Sequence, residues 1–280
     1  MSHDNNRIDR RFAELARRGR KGLIPYITAG HPDPSMSVDL LHQLVESGAD
    51  LLELGIPFSD VMADGPVIQK ACQRALERGT SLDDVFEMVS RFRQRDAETP
   101  IILMGYMNPL ERRGIEAFSS QAAVAGVDGL LIVDCPADEA VETTRAFDAD
   151  GLYQIFLIAP TTSDSRLERM VPLAGGFIYY VTLKGVTGSA ALDASTLGPA
   201  VRRIHARSEL PVAVGFGIST PEQAAQAASA ADAVVIGSAL VDRLHGCRDL
   251  SEALDTVREY IGGIRQALDR LAGESTAAAS

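Results

Sequence analysis

At 280 residues, 46% of them apolar, the chain can build one large domain or two ordinary ones, and an α/β barrel fills this size as a single domain. Its 27 basic and 38 acidic residues give a net charge of −11, so the overall field repels nucleic acid and anionic membranes and any anionic substrate must be held by local donors. Cys72, Cys135 and Cys247 lie far apart with neither metal-ligand nor disulfide spacing, which predicts buried thiols in a reducing cytosol. No run approaches the length of a membrane span and residues 1–11 hold no apolar leader core, so the expected location is the cytoplasm.

In chain order, Ile8, Phe12, Leu15 and Ala16 recur at helical spacing and predict an N-terminal amphipathic helix ending near Gly19. Residues 23–28 (LIPYIT) read as the first strand, followed by a helix carrying Val38, Leu41, Leu44 and Val45 that stops at Gly48. The second strand, residues 50–54 (DLLEL), passes through a polar loop, 59–64, into a helix from Val67 with Pro66 in its first turn, where a missing N–H costs nothing. Further strands are predicted at 101–104, 129–133, 152–158, 177–182, 211–214 and 232–236. Between and after them, helices are predicted at 82–92, 115–125, 138–147, 165–170, 197–206, 221–228, 239–244 and 250–271.

Apolar strands that each lead into a helix require a parallel sheet covered by helices. Three strand entries echo one another, Gly48-Ala49-Asp50, Gly126-Val127-Asp128 and Ala230-Ala231-Asp232, which points to repeated β/α units. Eight units close a barrel, and no Gly-x-Gly-x-x-Gly follows the first strand as an open dinucleotide-binding sheet would carry. The expected fold class is therefore α/β, a (β/α)8 TIM barrel with an extra N-terminal helix, with a doubly wound open sheet as the alternative. One domain over residues 1–272 and a loose tail over 273–280 complete the expected organisation.

The working face of such a barrel lies at the C-terminal ends of its strands. There the early loops offer acid–base groups: Glu53 in the second strand, Asp60 and Asp64 in its loop, Tyr106 and Asn108 after the third, Asp134 after the fourth, and Tyr179 within the sixth. The late loops are rich in glycine: Gly185 to Ser189 with Thr187 and Gly188, Gly215 to Ser219 with Gly217, and Gly237-Ser238 opening a helix. Glycine lets backbone N–H groups approach an oxyanion and the helix start adds its positive end, so these loops predict a phosphate cradle. Together the two sides describe a small phosphorylated substrate with chemistry at its far end. The five histidines are scattered without metal-ligand spacing, and His31 reads as a surface residue. Lys184 could form a Schiff base with a carbonyl substrate, although such a lysine is normally buried and this one lies in a Gly-rich loop.

The segments LIPYITAGHPDP, LELGIPFSDVMADGPVIQ, LMGYMNP, VDGLLIVDCP, YYVTLKGVTG, GFGIS and IGSAL, spread over nearly the whole chain, closely resemble the tryptophan synthase α subunit family. The resemblance implies a (β/α)8 lyase that splits indole-3-glycerol phosphate into indole and glyceraldehyde 3-phosphate, with no cofactor of its own. It also implies a β subunit, carrying pyridoxal phosphate, that receives the indole within an α2β2 assembly. By match, Glu53 and Asp64 fall on the catalytic carboxylates and Gly188, Gly217, Gly237 and Ser238 on the phosphate cradle. Tyr179 matches a tyrosine near the catalytic Glu and Thr187 the threonine of the closing loop; Tyr106 joins them as a substrate-binding candidate. Apolar neighbours of Glu53 are expected to raise its proton affinity toward working pH. Three positions depart from the pattern. Val61 stands where Pro is usual, His31 where Asp is common, and Leu183 where some members have Arg. The first two put coupling to the β subunit in question, and the loss of Pro predicts a more mobile loop. Other readings are a free-standing indole-releasing lyase, a non-catalytic activator of a β subunit, and another phosphate-binding barrel such as a phosphoribosyl isomerase.

Overall fold

The computed structural model describes residues 6–137, 139–181, 194–215 and 217–278. Within them lie β1 (Gly22–Thr28), β2 (Leu52–Gly55), β3 (Ile101–Gly105), β4 (Gly129–Ile132), β5 (Tyr153–Ile158), β6 (Ile178–Val181), β7 (Val212–Gly215) and β8 (Ala233–Ile236). These strands run parallel in chain order and β8 returns to β1, so the sheet is a closed (β/α)8 barrel. Each strand's two-residue alternation divides its side chains between two environments. In β1, for example, Leu23 and Ile27 face the surrounding helices while Ile24 and Tyr26 face the barrel interior.

The helices are α1 (Arg7–Arg17), α2 (Ser37–Glu46), α3 (Pro66–Glu77), α4 (Leu82–Arg93), α5 (Met107–Arg113) and α6 (Ile115–Ala125), followed by α7 (Ala140–Ala149), α8 (Asp164–Met170), α9 (Ala194–His205), α10 (Pro221–Ala228), α11 (Ser238–His245) and α12 (Leu250–Ala278). Two differ in kind from the sequence expectation. Helix α5 begins at the Met-Asn-Pro that reads as a loop; Pro109 is its third residue, where no intrahelical N–H bond is lost, and Asp134 accepts from Met107 N at 2.7 Å to hold its start. Asp134 is thus a helix anchor in this structure. Helix α12 runs to Ala278 where a loose tail was expected from Gly273, and Glu274, Ala277 and Ala278 are residues that favour that conformation.

The N-terminal mouth of the barrel is a stability face. Helix α1 closes it, with Ile8, Phe12 and Leu15 packed on Ile24, Leu51, Ile102, Leu131, Ile155 and Phe177. The three echoed strand entries have one shared function here. Asp50, Asp128 and Asp232 accept from the backbone N of Leu23, Ile101 and Val212 at 2.9, 2.8 and 2.8 Å. Each donates its own N–H back to the carbonyl of the same residue at 2.9 Å. The repeat is therefore a two-way clamp between neighbouring strand starts. Asp128 also pairs with Arg7 of α1 and Arg93 of α4, both at 2.8 Å, and Asp50 with Arg265 at 3.0 Å and Arg20 at 3.4 Å. Asp232, its side chain 40% exposed, has only His205, at 3.2 Å, as an ion-pair partner among the described residues.

Removing one partner of a buried ion pair leaves the other uncompensated, at about 3–5 kcal/mol, whereas an exposed pair contributes about 0–1 kcal/mol. Urea unfolding is expected to show Asp128→Ala destabilised by roughly that larger amount and Asp232→Ala by markedly less.

Candidate active site

The residue alternation of β2 puts Leu52 and Leu54 against the helices and Glu53 inside the barrel, where it is 3% exposed. Its Cα pairs with Tyr26 of β1 on one side and Ile102 of β3 on the other. Glu53 Oε1 is buried without a hydrogen-bond partner among the described residues. Burial, and secondly the nearby carboxylate of Asp64, push the Glu53 carboxyl up to about 8, as its apolar setting predicts.

After Gly55 the chain leaves the barrel and returns through a tight turn in which Asp64 N donates to Val61 O at 3.1 Å. Tyr106, the residue before α5, braces this turn with one hydroxyl: it donates to Asp64 Oδ2 at 2.8 Å and accepts from Ala63 N at 3.2 Å. Burial raises the Asp64 carboxyl and the Tyr106 bond opposes that rise, favouring the anion. Tyr179 enters the same space from β6, and its phenol is raised well above its ordinary value by burial first, then by Glu53 and Asp64. Glu53, Asp64, Tyr106 and Tyr179 are thus brought together. Asp60 and Asn108 are exposed and stay outside the group.

Across the opening, Gly237 precedes α11 and Ser238 is its first residue. Leu240 N already donates to Gly237 O at 2.9 Å, whereas the N–H groups of Ser238 and Ala239 have no intrahelical acceptor, and the helix end carries partial positive charge. Gly217, exposed and at φ 75°, lies beyond β7, whose strand pairs with β8. Thr187, Gly188 and Lys184 lie outside the described residues, so of the loops expected to form a cradle only those after β7 and β8 are described. Among the described residues no group of three or more His, Cys, Asp or Glu is placed to hold a metal ion.

The sequence and the fold both match known proteins. A family model described as tryptophan synthase alpha chain fits residues 12–269. The tryptophan synthase alpha chains of Alkalilimnicola ehrlichii and Nitrosococcus oceani are 54% and 52% identical, covering 96% and 94% of this chain and 98% of each relative. The chain belongs to the tryptophan synthase alpha chain family. The crystal structure of tryptophan synthase subunit alpha from Legionella pneumophila is similar at a TM-score of 0.88 and 46% identity, covering 95% of this chain and 99% of that one. Members of the family catalyse an aldol-type carbon–carbon cleavage of indole-3-glycerol phosphate and act with a β subunit.

Two departures from the family pattern have definite structural places. His31 is not a surface residue: it is fully buried, its ring stacked on His245 at the end of α11 with centroids 5.4 Å apart and Nε2 to Nδ1 at 3.1 Å. Burial, then His245, Arg74 and Arg78, lower its imidazole to about 4, so the ring is neutral. A stacking partner 214 positions away is invisible to local pattern. Val61 is buried as well, packed with Tyr26, Ile68, Ala71, Cys72, Tyr106 and Val241. Its side chain anchors the turn, a restraint that the expectation of a looser loop had left out.

Sequence reasoning missed Tyr26 and Thr28. Both lie on the inner face of β1 and share a hydrogen bond of 3.2 Å. The two-residue spacing from Ile24 is the signal that finds them.

Tyr106→Phe deletes a hydrogen bond to a carboxylate, which contributes about 1.5–3 kcal/mol, so a fall in kcat of roughly ten- to a hundredfold is expected with the fold retained. Because the lost bond had favoured the Asp64 anion, the acid limb of the pH–rate profile moves to higher pH. Steady-state assays over pH check both.

Proposed function

We propose that Glu53 is the single proton carrier with which this chain performs its family's cleavage of indole-3-glycerol phosphate to indole and glyceraldehyde 3-phosphate. The observation that supports this most directly is a buried carboxyl on the inner face of β2 whose Oε1 has no hydrogen-bond partner among the described residues, with its proton affinity pushed up to about 8. At neutral pH such a group rests in the acid form. It can therefore give its proton first, to the ring carbon that bears the glycerol chain. That step leaves the ring electron-poor, its N–H more acidic and Glu53 a carboxylate. The carboxylate then takes the proton of the adjacent glycerol hydroxyl as the carbon–carbon bond breaks, releasing indole and the aldehyde and regenerating the acid. Asp64, held by Tyr106, is the fixed anion that stabilises the charge developing at the ring nitrogen.

The phosphate is assigned to the backbone N–H groups of the α11 first turn at Gly237 and Ser238, with Gly217 beside them and Thr187 and Gly188 completing the cradle. Tyr179 and Tyr106 line the route between the two ends. Proton transfers and a fixed anion suffice for this step, so no cofactor is assigned to this chain; the pyridoxal phosphate belongs to the β subunit, which takes the indole onward in an α2β2 assembly. A single domain over residues 1–272 carries the activity. No helix among the described residues is long and apolar enough to cross a membrane. We place the protein in the cytoplasm, where its three buried free thiols fit a reducing compartment.

Indole release from indole-3-glycerol phosphate, measured with and without a β subunit, tests the reading. Glu53→Gln is expected to lose at least about 10²- to 10⁴-fold in kcat, and near-normal turnover by this variant would refute the assignment. In the wild type, kcat/KM of the free enzyme should fall as pH rises through about 8, because the acid form starts the reaction. The same group has a stability signature. Its folded value lies above its unfolded 4.5, so the folded state holds the extra proton between the two, and stability declines as pH rises from that value through about 8. Glu53→Gln removes this titration, so by urea unfolding the variant should gain on the wild type between pH 5 and pH 8. Gly237→Ala should leave the fold intact and raise KM at least about tenfold, because the added methyl holds the phosphate away from the backbone N–H groups and weakens a hydrogen bond to a charged group.

A further inference from the structure

Tyr26 stands where the two halves of the site meet. It is 6% exposed, and its Cα pairs with that of Glu53. Two residues further along β2 is Gly55, and the phenol covers its Cα: a methyl there would collide with the Tyr26 hydroxyl, Cζ and Cε2. On the other flank, a Cβ on Gly237 would sit 3.8 Å from the Tyr26 Cβ. Behind the ring, fully buried Thr28 shares the 3.2 Å hydrogen bond with the hydroxyl, and Val61, Ile68, Ala71 and Cys72 fill the remaining space.

We propose that Tyr26 is a positioning residue for the cleavage: its phenol, pinned by Thr28 and seated on Gly55, is the wall that keeps water from Glu53 and spaces the carboxylates from the start of α11. The proposal rests on the reading of Glu53 as the proton carrier. Of the two residues beside Glu53 in the strand register, Ile102 belongs to the closed lower core with Ile24 and Leu51, whereas Tyr26 clusters with Val61 and Tyr106 beneath the β2–α3 turn. Tyr26 is therefore the side chain whose loss opens a path for water from that turn. Among the described residues, the titratable groups that face Glu53 are Asp64 from the β2–α3 turn, Tyr26 from β1 and Tyr179 from β6; those that face Tyr26 are Cys72 from α3, Asp64 and Glu53. The phenols and the thiol are neutral, burial holding Tyr26 and Tyr179 well above their ordinary values and the Cys72 thiol at about 11. Burial, with the Asp64 carboxylate second, is then what keeps the proton on Glu53.

The test is the titration of Glu53 itself, read by carboxyl-carbon NMR on the full chain and assigned by the signal that disappears in Glu53→Gln, beside the pH dependence of kcat/KM. In Tyr26→Ala the titration is expected to move at least one unit toward the ordinary carboxylate range, and each unit lowers the protonated fraction above that pH about tenfold. Gly55→Ala, which drives the ring off its seat by collision without deleting it, should move it the same way and decides the matter if Tyr26→Ala does not fold. Thr28→Val should lower kcat more than it changes KM, with Thr28→Ser restoring kcat. A Glu53 titration left at its wild-type value in Gly55→Ala, and in Tyr26→Ala where it folds, would overturn the proposal. An active Glu53→Gln would instead overturn the reading on which it rests.

Discussion

An unpaired carboxyl held inside an apolar barrel is the constraint to which the rest of the site responds. The alternation of β2 leaves Glu53 no choice of face once Leu52 and Leu54 are committed to the helices. A buried charge without a partner is costly, so the group keeps its proton instead. Among the described residues the titratable groups around it are phenols and one carboxylate, and that carboxylate, Asp64, sits on a turn braced by Tyr106. A cation beside Glu53 would favour its anion and defeat the purpose of its burial.

Such a site weakens the fold locally, and the opposite mouth of the barrel is built to the contrary rule. There each buried acid has every oxygen engaged: Asp128 meets two arginines and a backbone N–H, and Asp50 two arginines and another. Arg7 belongs to α1, so the N-terminal helix is held by charge as well as by Ile8, Phe12 and Leu15. Paired acids at the strand starts and an unpaired one near a strand end divide stability from chemistry along the barrel axis.

The strand pattern and the position of Glu53 were legible because both depend on neighbours along the chain: apolar runs, turn residues and a two-residue period. The shared function of Asp50, Asp128 and Asp232 was half legible, as a repeat without a reason. What stayed hidden depends on contacts across the fold. His31 looks like a loop residue until His245 stacks on it, Asp134 looks catalytic until Met107 N donates to it, and Val61 looks like a lost proline until it packs on Tyr26 and Tyr106. Helix α5 was missed because Asn-Pro reads as a break, although a proline in the first turn removes no helical bond.

The glycines of the late loops show how far composition alone can be taken. Gly215 was read with the phosphate loops, yet a methyl on it would strike the Tyr179 phenol, so its missing side chain makes room for a ring. Gly55 does the same for Tyr26. Gly217 has a backbone requirement of its own at φ 75°. At Gly237 an added Cβ would meet Tyr26 only at ordinary contact distance, and its backbone, at φ −110° and ψ −96°, is not left-handed but lies outside the usual regions. The helix end there suits an anion, which is the part proposed for Gly237 and Ser238 in holding the phosphate.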